Sequence, residues 1–349
     1  MTATIEAPPA GRPAAGDPTT LLRVPPARRF AMLVFAAVVV GLALRVAIGL
    51  TDDAPATDET AYLRSGISLV EGDGFAREGH PELHFPPFVP FLYGLTSRVV
   101  DPHTGAVILT CLASTALIVP LALLGRRVAG TAAGVATAWI AALAPGLSTT
   151  LANRGAGSEA EYMLLVVGAV WFVVSAADHR GQPRVVRVAA AGLLVGLAYL
   201  TRPEGLFAAV PLGVGVLVLG LRAVGGRRRH LVSAAGLGAA FAVPIVACIV
   251  PYAAYLHRHT GEWQLSAKTQ DASIEAWHAV ARADRQARDS VLYQLDETGL
   301  AFAAERTSLT ELARDDPSGY LGIVGTNVVG LGEALADPET GRVLSWLLL

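Results

Sequence analysis

Residues able to do chemistry recur at four places in this 349-residue chain: Asp58-Glu59 with Tyr62, Ser158-Glu159-Ala160-Glu161-Tyr162, Thr201-Arg202-Pro203-Glu204, and Gly261-Glu262-Trp263 running on to Lys268. A carboxylate can take the proton of an attacking hydroxyl. A guanidinium or ammonium group holds phosphate oxygens through charge-assisted hydrogen bonds. Acids, an arginine and the chain's only lysine would therefore suit a hydroxyl nucleophile and a phosphate-bearing substrate. Each group also has a plainer use. Asp58 and Glu59 could be hydrated loop charge, and Glu159 an acid favoured by a helix N-terminus. Arg202 and Glu204 could pair only with each other, and Lys268 could be an ordinary surface residue. Arg45, near the end of an apolar run, could simply snorkel to an interface.

What must position these residues is a set of long apolar runs. The chain is 53% hydrophobic and 16% charged, with a mean hydropathy of +0.48, whereas soluble domains carry roughly a quarter charged residues. The fold class expected is an all-α polytopic membrane protein. Cys111 and Cys248 lie inside apolar runs and read as buried thiols. The net charge of −2 is uninformative as a total; nucleic-acid binding would need a basic patch that reaches water, and no nucleic-acid partner is expected.

Hydropathy predicts helices near 30–50, 104–124, 129–150, 161–178, 187–201, 205–222 and 231–256, each long enough to approach a bilayer's thickness. Residues 1–29, rich in Pro, Ala, Gly and Thr, read as a disordered tail. The first apolar run is too long for a signal-peptide core and lacks a cleavage site, so it reads as an uncleaved helix. Arg12, Arg23, Arg28 and Arg29 precede that helix. Arg126 and Arg127, then Arg180, Arg184 and Arg187, then Arg222 and Arg227 to Arg229 fill every second connection. All fall on one side, which the positive-inside rule makes cytoplasmic.

The resulting division is a cytoplasmic tail over 1–29, a transmembrane module over 30–257 with an outer loop at 51–103, an extracytoplasmic, mostly helical region over 258–342, and the start of a further span at 343–349. That last stretch reads as an uncompleted helix, more consistent with truncation than with a finished fold. Within the outer loop, Phe85 to Gly94 is too short to span. It is expected as an interfacial helix with Phe88, Phe91, Leu92 and Tyr93 turned into the membrane. His80-Pro81-Glu82-Leu83-His84 alternates ligand-type side chains, but its spacing is no recognised metal motif, and solvated loop residues are the expectation.

These segments together resemble a known family. Asp58-Glu59, Tyr62, Gly72, Gly74 and His84-Phe85-Pro86-Pro87-Phe88 resemble the first outer loop of GT-C glycosyltransferases, in particular the bacterial group similar to protein mannosyltransferases and aminoarabinose transferases (glycosyltransferase family 39-like). Ser158-Glu159-Ala160-Glu161-Tyr162 resembles that group's second acidic motif, and Gly196 to Leu206 its arginine-proline-glutamate turn. Pro251-Tyr252 through Lys268 resembles the stretch leading to its outer domain. The resemblance runs from about residue 30 to 270. One departure is Phe85, which stands where the family often has a basic residue before its proline pair.

The resemblance implies a GT-C-like helix bundle that transfers a sugar, with inversion, from a polyprenyl-phosphate donor to a glycan, lipid or protein hydroxyl on the outer face of the plasma membrane. On that reading Asp58 is the general base, with Glu59 and Glu159 as further catalytic candidates. Arg202 holds the donor phosphate, with Lys268 and Arg45 behind it, and Tyr62, Glu161, Glu204 and His84 line the substrate. No cofactor is required, and a divalent metal is left open because related aminoarabinose transferases bind one near the equivalent loop. The rival readings are a secondary transporter, whose sites lie at mid-bilayer in broken helices, and a non-catalytic membrane assembly protein.

Overall fold

The computed structural model describes residues 26–49, 57–144, 157–222, 227–267 and 309–336. The described chain runs α1 (Pro26–Gly49), α2 (Thr57–Glu71), a small hairpin β1 (Ala76–Arg77) and β2 (His80–Pro81), α3 (Phe88–Thr96), α4 (Pro102–Ala116), α5 (Ile118–Leu143), α6 (Glu159–Ala176), α7 (Gln182–Thr201), a 3-10 turn (Pro203–Ala208), α8 (Ala209–Leu221), α9 (Arg227–Thr260), α10 (Leu309–Asp315) and α11 (Pro317–Ala336). Among the described residues, six helical runs are long and apolar enough to cross a membrane. This is a multi-pass helical membrane protein.

The longest of those runs, Pro102–Leu143, is not one straight rod. Ala129 (φ −133°, ψ 18°) and Gly130 (φ 88°, ψ −176°) leave helical geometry. A positive φ of that size is a glycine conformation. The chain doubles back there, because Gly134 packs against Ala122 and Arg126, Gly125 packs against Thr137, and Ile118 and Ala142 both reach Gly41 of α1. The two arms correspond to the helices expected near 104–124 and 129–150.

Two of the apolar cores among the described residues join the long helices, one of them lined mostly by alanine. Phe30 and Ala37 of α1 bury against Ile118, Ala122, Ala138, Ala141 and Ala142 of the α5 arms. Ala169 and Val173 of α6, Val188, Ala191 and Val195 of α7, Leu212 and Val216 of α8, and Leu237, Phe241 and Ile245 of α9 form the second. Inside a bilayer, helix association depends on close packing, since lipid tails are as apolar as leucine. Accordingly α7 and α9 meet backbone to backbone: a Cβ on Gly192 would lie 2.1 Å from the Phe241 carbonyl oxygen. The outward faces of α1, α8 and α9 expose Phe35, Val210, Val214, Val243 and Val250, as lipid-facing helices should.

The arginine-rich connections gather at one end. Arg127 at the α5 reversal pairs with Asp178 after α6 at 2.8 Å, and the Arg126 guanidinium sits 4.6 Å over the Phe30 ring. Arg184 donates to the carbonyls of Ala176 and His179 at 3.1 and 2.6 Å, closing the α6 C-terminus.

The opposite end departs from expectation in two respects. Asp58, Glu59 and Tyr62 are not in a loop: they occupy the first two turns of α2, whose N-terminus favours its two acids. α3 forms as expected after Pro86-Pro87, but Val89 and Tyr93 are fully buried in protein against Ala61, Tyr62, Leu63 and Phe85. Only Phe91 and Leu95 among its large residues stand exposed. α2 and α3 cross at their glycines, where a Cβ on Gly66 would lie 2.0 Å from the Pro90 carbonyl oxygen and one on Gly94 2.1 Å from that of Gly66. A glycine-glycine crossing brings the helices close enough for Tyr93 to point inward instead of to lipid. In the region expected to be helical over 258–342, α10 and α11 pack together, and Asp316 between them accepts from Ser318 Oγ and Gly319 N–H. The expected span at 343–349 and the tail over 1–25 lie outside the described residues.

Candidate active site

The site is built where the N-termini of α2 and α6 meet the C-terminus of α7. Pro203 bars Arg202 from helical geometry, and Arg202 closes α7 in an extended conformation (φ −146°, ψ 129°). The turn then folds back so tightly that a Cβ on Gly205 would lie 2.4 Å from the Ala198 carbonyl carbon. This fixes where the Arg202 side chain starts.

From there Arg202 reaches across to α6. One guanidinium nitrogen pairs with Glu159 Oε1 at 2.5 Å and donates to Ser158 Oγ at 3.4 Å, while Nε lies 3.9 Å from Glu204 Oε2. The Tyr62 hydroxyl donates to the same Ser158 oxygen at 3.2 Å, and Asp58, one turn before Tyr62 and exposed, lies within electrostatic reach of that phenol. Asp58, Tyr62, Ser158, Glu159, Arg202 and Glu204 thus form one polar cluster spanning three helices. Partial burial works against the Arg202 charge, but Glu159 and Glu204 outweigh it and hold its pKa above the ordinary arginine value. Burial pushes the Tyr62 phenol well up, with the Ser158 hydrogen bond opposing, so it stays a neutral donor.

A second layer supports the first. The Tyr93 hydroxyl sits 3.1 Å from Thr110 Oγ1 of α4 and donates to the Gly157 carbonyl at 3.0 Å, just ahead of Ser158. Tyr62 packs edge-on against Phe85 at 4.5 Å and Tyr93 at 6.2 Å. Glu161 is 5% exposed. It faces the Thr110 hydroxyl without a well-formed hydrogen bond to any described residue.

The remaining expected residues are placed elsewhere. Glu59 is fully buried, its Oε1 2.6 Å from His103 Nδ1, and so faces α4. Arg45 is also buried: it donates to Ser114 Oγ at 3.1 Å, to the Ala141 carbonyl at 2.9 Å and to the Gly41 carbonyl at 3.0 Å. Those contacts clamp α1 to α4 and α5. His84 stacks edge-on beside Phe85, one ring removed from Tyr62. Lys268 lies outside the described residues.

Sequence reasoning also missed the group that shapes the outer loop. Glu82, expected as a solvated loop residue, is fully buried, pairs with Arg77 Nε at 3.0 Å and accepts the His84 and Phe85 amides at 2.9 and 3.2 Å. Tyr255 of α9 donates to the carbonyls of Phe75 and Glu82 at 2.6 and 3.1 Å, docking that loop on the bundle. His103 was unmarked, and Ser158 was noted only as the first residue of the acidic motif with no role of its own, since a lone serine or histidine carries no signal until its partners are known. Among the described residues, no group of three His, Cys, Asp or Glu side chains could hold a metal ion.

Two solved structures of oligosaccharyltransferases from Archaeoglobus fulgidus are similar to this chain. The apo form is 14% identical at a TM-score of 0.48, over 81% of this chain and 42% of that one. An archaeal oligosaccharyltransferase, AglB, from the same organism, in complex with an inhibitory peptide and a dolichol-phosphate, is 14% identical at a TM-score of 0.48, over 91% of this chain and 38% of that one. The chain therefore spans about two fifths of those proteins. No curated protein sequence matches it. The family described as dolichyl-phosphate-mannose-protein mannosyltransferase matches residues 84–255, from the outer loop into α9 and just under half of the chain.

Proposed function

We propose that the protein is an inverting glycosyltransferase that moves a sugar from a polyprenyl-phosphate donor to a hydroxyl acceptor on the extracytoplasmic face. The observation that carries this reading is the Tyr62–Ser158–Arg202 chain of hydrogen bonds. It gathers a solvent-facing carboxylate, Asp58, and a guanidinium, Arg202, into one patch opposite the arginine-rich end. Asp58 takes the proton of the acceptor hydroxyl as its oxygen attacks the anomeric carbon. The bond from that carbon to the phosphate oxygen breaks, and its electron pair leaves with the polyprenyl phosphate. Arg202 stabilises the charge that develops there. Glu159 already pairs with Arg202, so donor phosphate would exchange with this carboxylate for the same guanidinium. The similarity of residues 84–255 to the dolichyl-phosphate-mannose-protein mannosyltransferase family supports the reaction class. The position of the cluster at one end of the bundle argues against a mid-bilayer transport site.

The test is transfer or hydrolysis of a panel of polyprenyl-phosphate sugars, dolichyl-phosphate mannose included, by the protein in purified membranes. Asp58→Asn keeps shape and removes the base, so turnover should fall by about two to four orders of magnitude while donor affinity persists. Near-normal turnover in Asp58→Asn would remove it from the mechanism. Sugar uptake into vesicles without transfer would favour a transporter.

A further inference from the structure

Beside the proposed base lies a contact that the mechanism above does not use. Glu59 follows Asp58 in the first turn of α2, yet its side chain is fully buried and meets His103 Nδ1 at 2.6 Å. His103 is itself fixed, because α4 starts at Pro102 with Asp101 as its cap, accepting from the Thr104 amide and hydroxyl at 3.1 Å each. Glu59 and Tyr62 are three residues apart and so share a face of α2. One is held by α4 and the other by α6. Two lateral ties on one face of a helix fix its rotation, and rotation of the first turn is what aims Asp58, about 100° further round.

We propose that His103 is a positioning residue: through Glu59 it sets the rotation of the first turn of α2, and with it the direction of Asp58. This rests on the general-base reading of Asp58. A misplacement of about 1 Å in a reacting group can cost about a hundredfold in rate, so the contact bears on turnover more than on donor binding, for which Arg202 is responsible. Glu59 thereby passes from candidate catalytic group to the link between His103 and Asp58.

The experiment compares His103→Ala, His103→Asn and His103→Gln in the full chain, with dolichyl-phosphate mannose and the same donor panel. An asparagine amide stands where Nδ1 stands and can donate or accept, whichever partner carries the shared proton. A glutamine amide stands nearer the place of Nε2. His103→Ala should lower kcat about ten- to a hundredfold with donor KM within about twofold. His103→Asn should recover most of the loss and His103→Gln should not. Backbone amide exchange in the first two turns of α2 should quicken in His103→Ala and His103→Gln and return to normal in His103→Asn, a readout independent of activity. Equal recovery by both amides, or kcat and donor KM changing together, would overturn the proposal; the two amide variants decide it even where His103→Ala fails to fold. Unchanged kcat in His103→Ala beside an inactive Asp58→Asn would sink the inference alone. An active Asp58→Asn would remove the general-base reading and the inference with it.

Discussion

Tyr62 of α2 and Ser158 of α6 share a hydrogen bond of 3.2 Å across 96 residues of sequence, and Arg202 donates to the same serine oxygen. Ser158 is therefore the joint through which the acidic helix and the arginine turn are set against each other. A buried neutral hydrogen bond of this kind contributes about 1 kcal/mol. Tyr62→Phe and Ser158→Ala should each lower stability by about that amount. The double variant should cost clearly less than the sum, since the two changes remove one shared bond. Unfolding measured in detergent on all three variants checks it, and full additivity would separate the two residues.

The role of Arg202 can be distinguished from simple pairing with its acidic neighbours. A planar guanidinium binds two phosphate oxygens at once, which an ammonium cannot match. Arg202→Lys should weaken donor binding and turnover although charge is kept, and Arg202→Ala should lose about 1.5–3 kcal/mol of charge-assisted bonding. Glu204→Gln, whose carboxylate lies 3.9 Å from Nε, should leave donor affinity close to normal. Arg45→Met should reduce thermal stability without touching donor affinity, because the Arg45 guanidinium is committed to Ser114 and to helix carbonyls. Unchanged donor affinity and turnover in Arg202→Ala would end the phosphate role.

The glycine crossing of α2 and α3 should tolerate no side chain. A Cβ on Gly66 would stand 2.0 Å from the Pro90 carbonyl oxygen, so Gly66→Ala must push the helices apart, at a cost of about 1–3 kcal/mol. Separation would also withdraw Tyr62 from Ser158, and activity should fall with stability. Gly72→Ala is a control without a steric clash, since nothing lies within 4 Å of a Cβ there, although its φ of +98° carries its own strain.

Membrane sidedness gives a separate test of where the site lies. Cysteines at Asp73, after α2, and at Glu262, after α9, should react with an impermeant thiol reagent in intact cells. One at Arg180, in the arginine-rich connection after α6, should not. Reaction at Arg180 alone would reverse the proposed face.

Much of the bundle could be read in the sequence, because lipid imposes a rule that sequence records directly. Backbone polar groups inside a bilayer must be satisfied within a helix, so long apolar runs near 161–178, 187–201 and 231–256 become α6, α7 and α9 with little alternative. The order of the arginines set the ends of the bundle in the same way. What only tertiary structure decided is how side chains far apart in sequence meet. Asp58-Glu59 looks like a matched pair, yet in a helix adjacent residues point about 100° apart, and packing buries Glu59 against His103 while leaving Asp58 exposed. Arg45 and Arg202 are the same residue type at helix ends. One is sealed among the carbonyls of α1 and α5, whereas the other is held out by Pro203 and the Gly205 turn to meet Ser158 and Glu159. Hydropathy depends on composition along a segment. A site depends on helix rotation and crossing distance, here set by Gly66 against Pro90 and by Tyr62 on Ser158, and those distances exist only once the helices are packed.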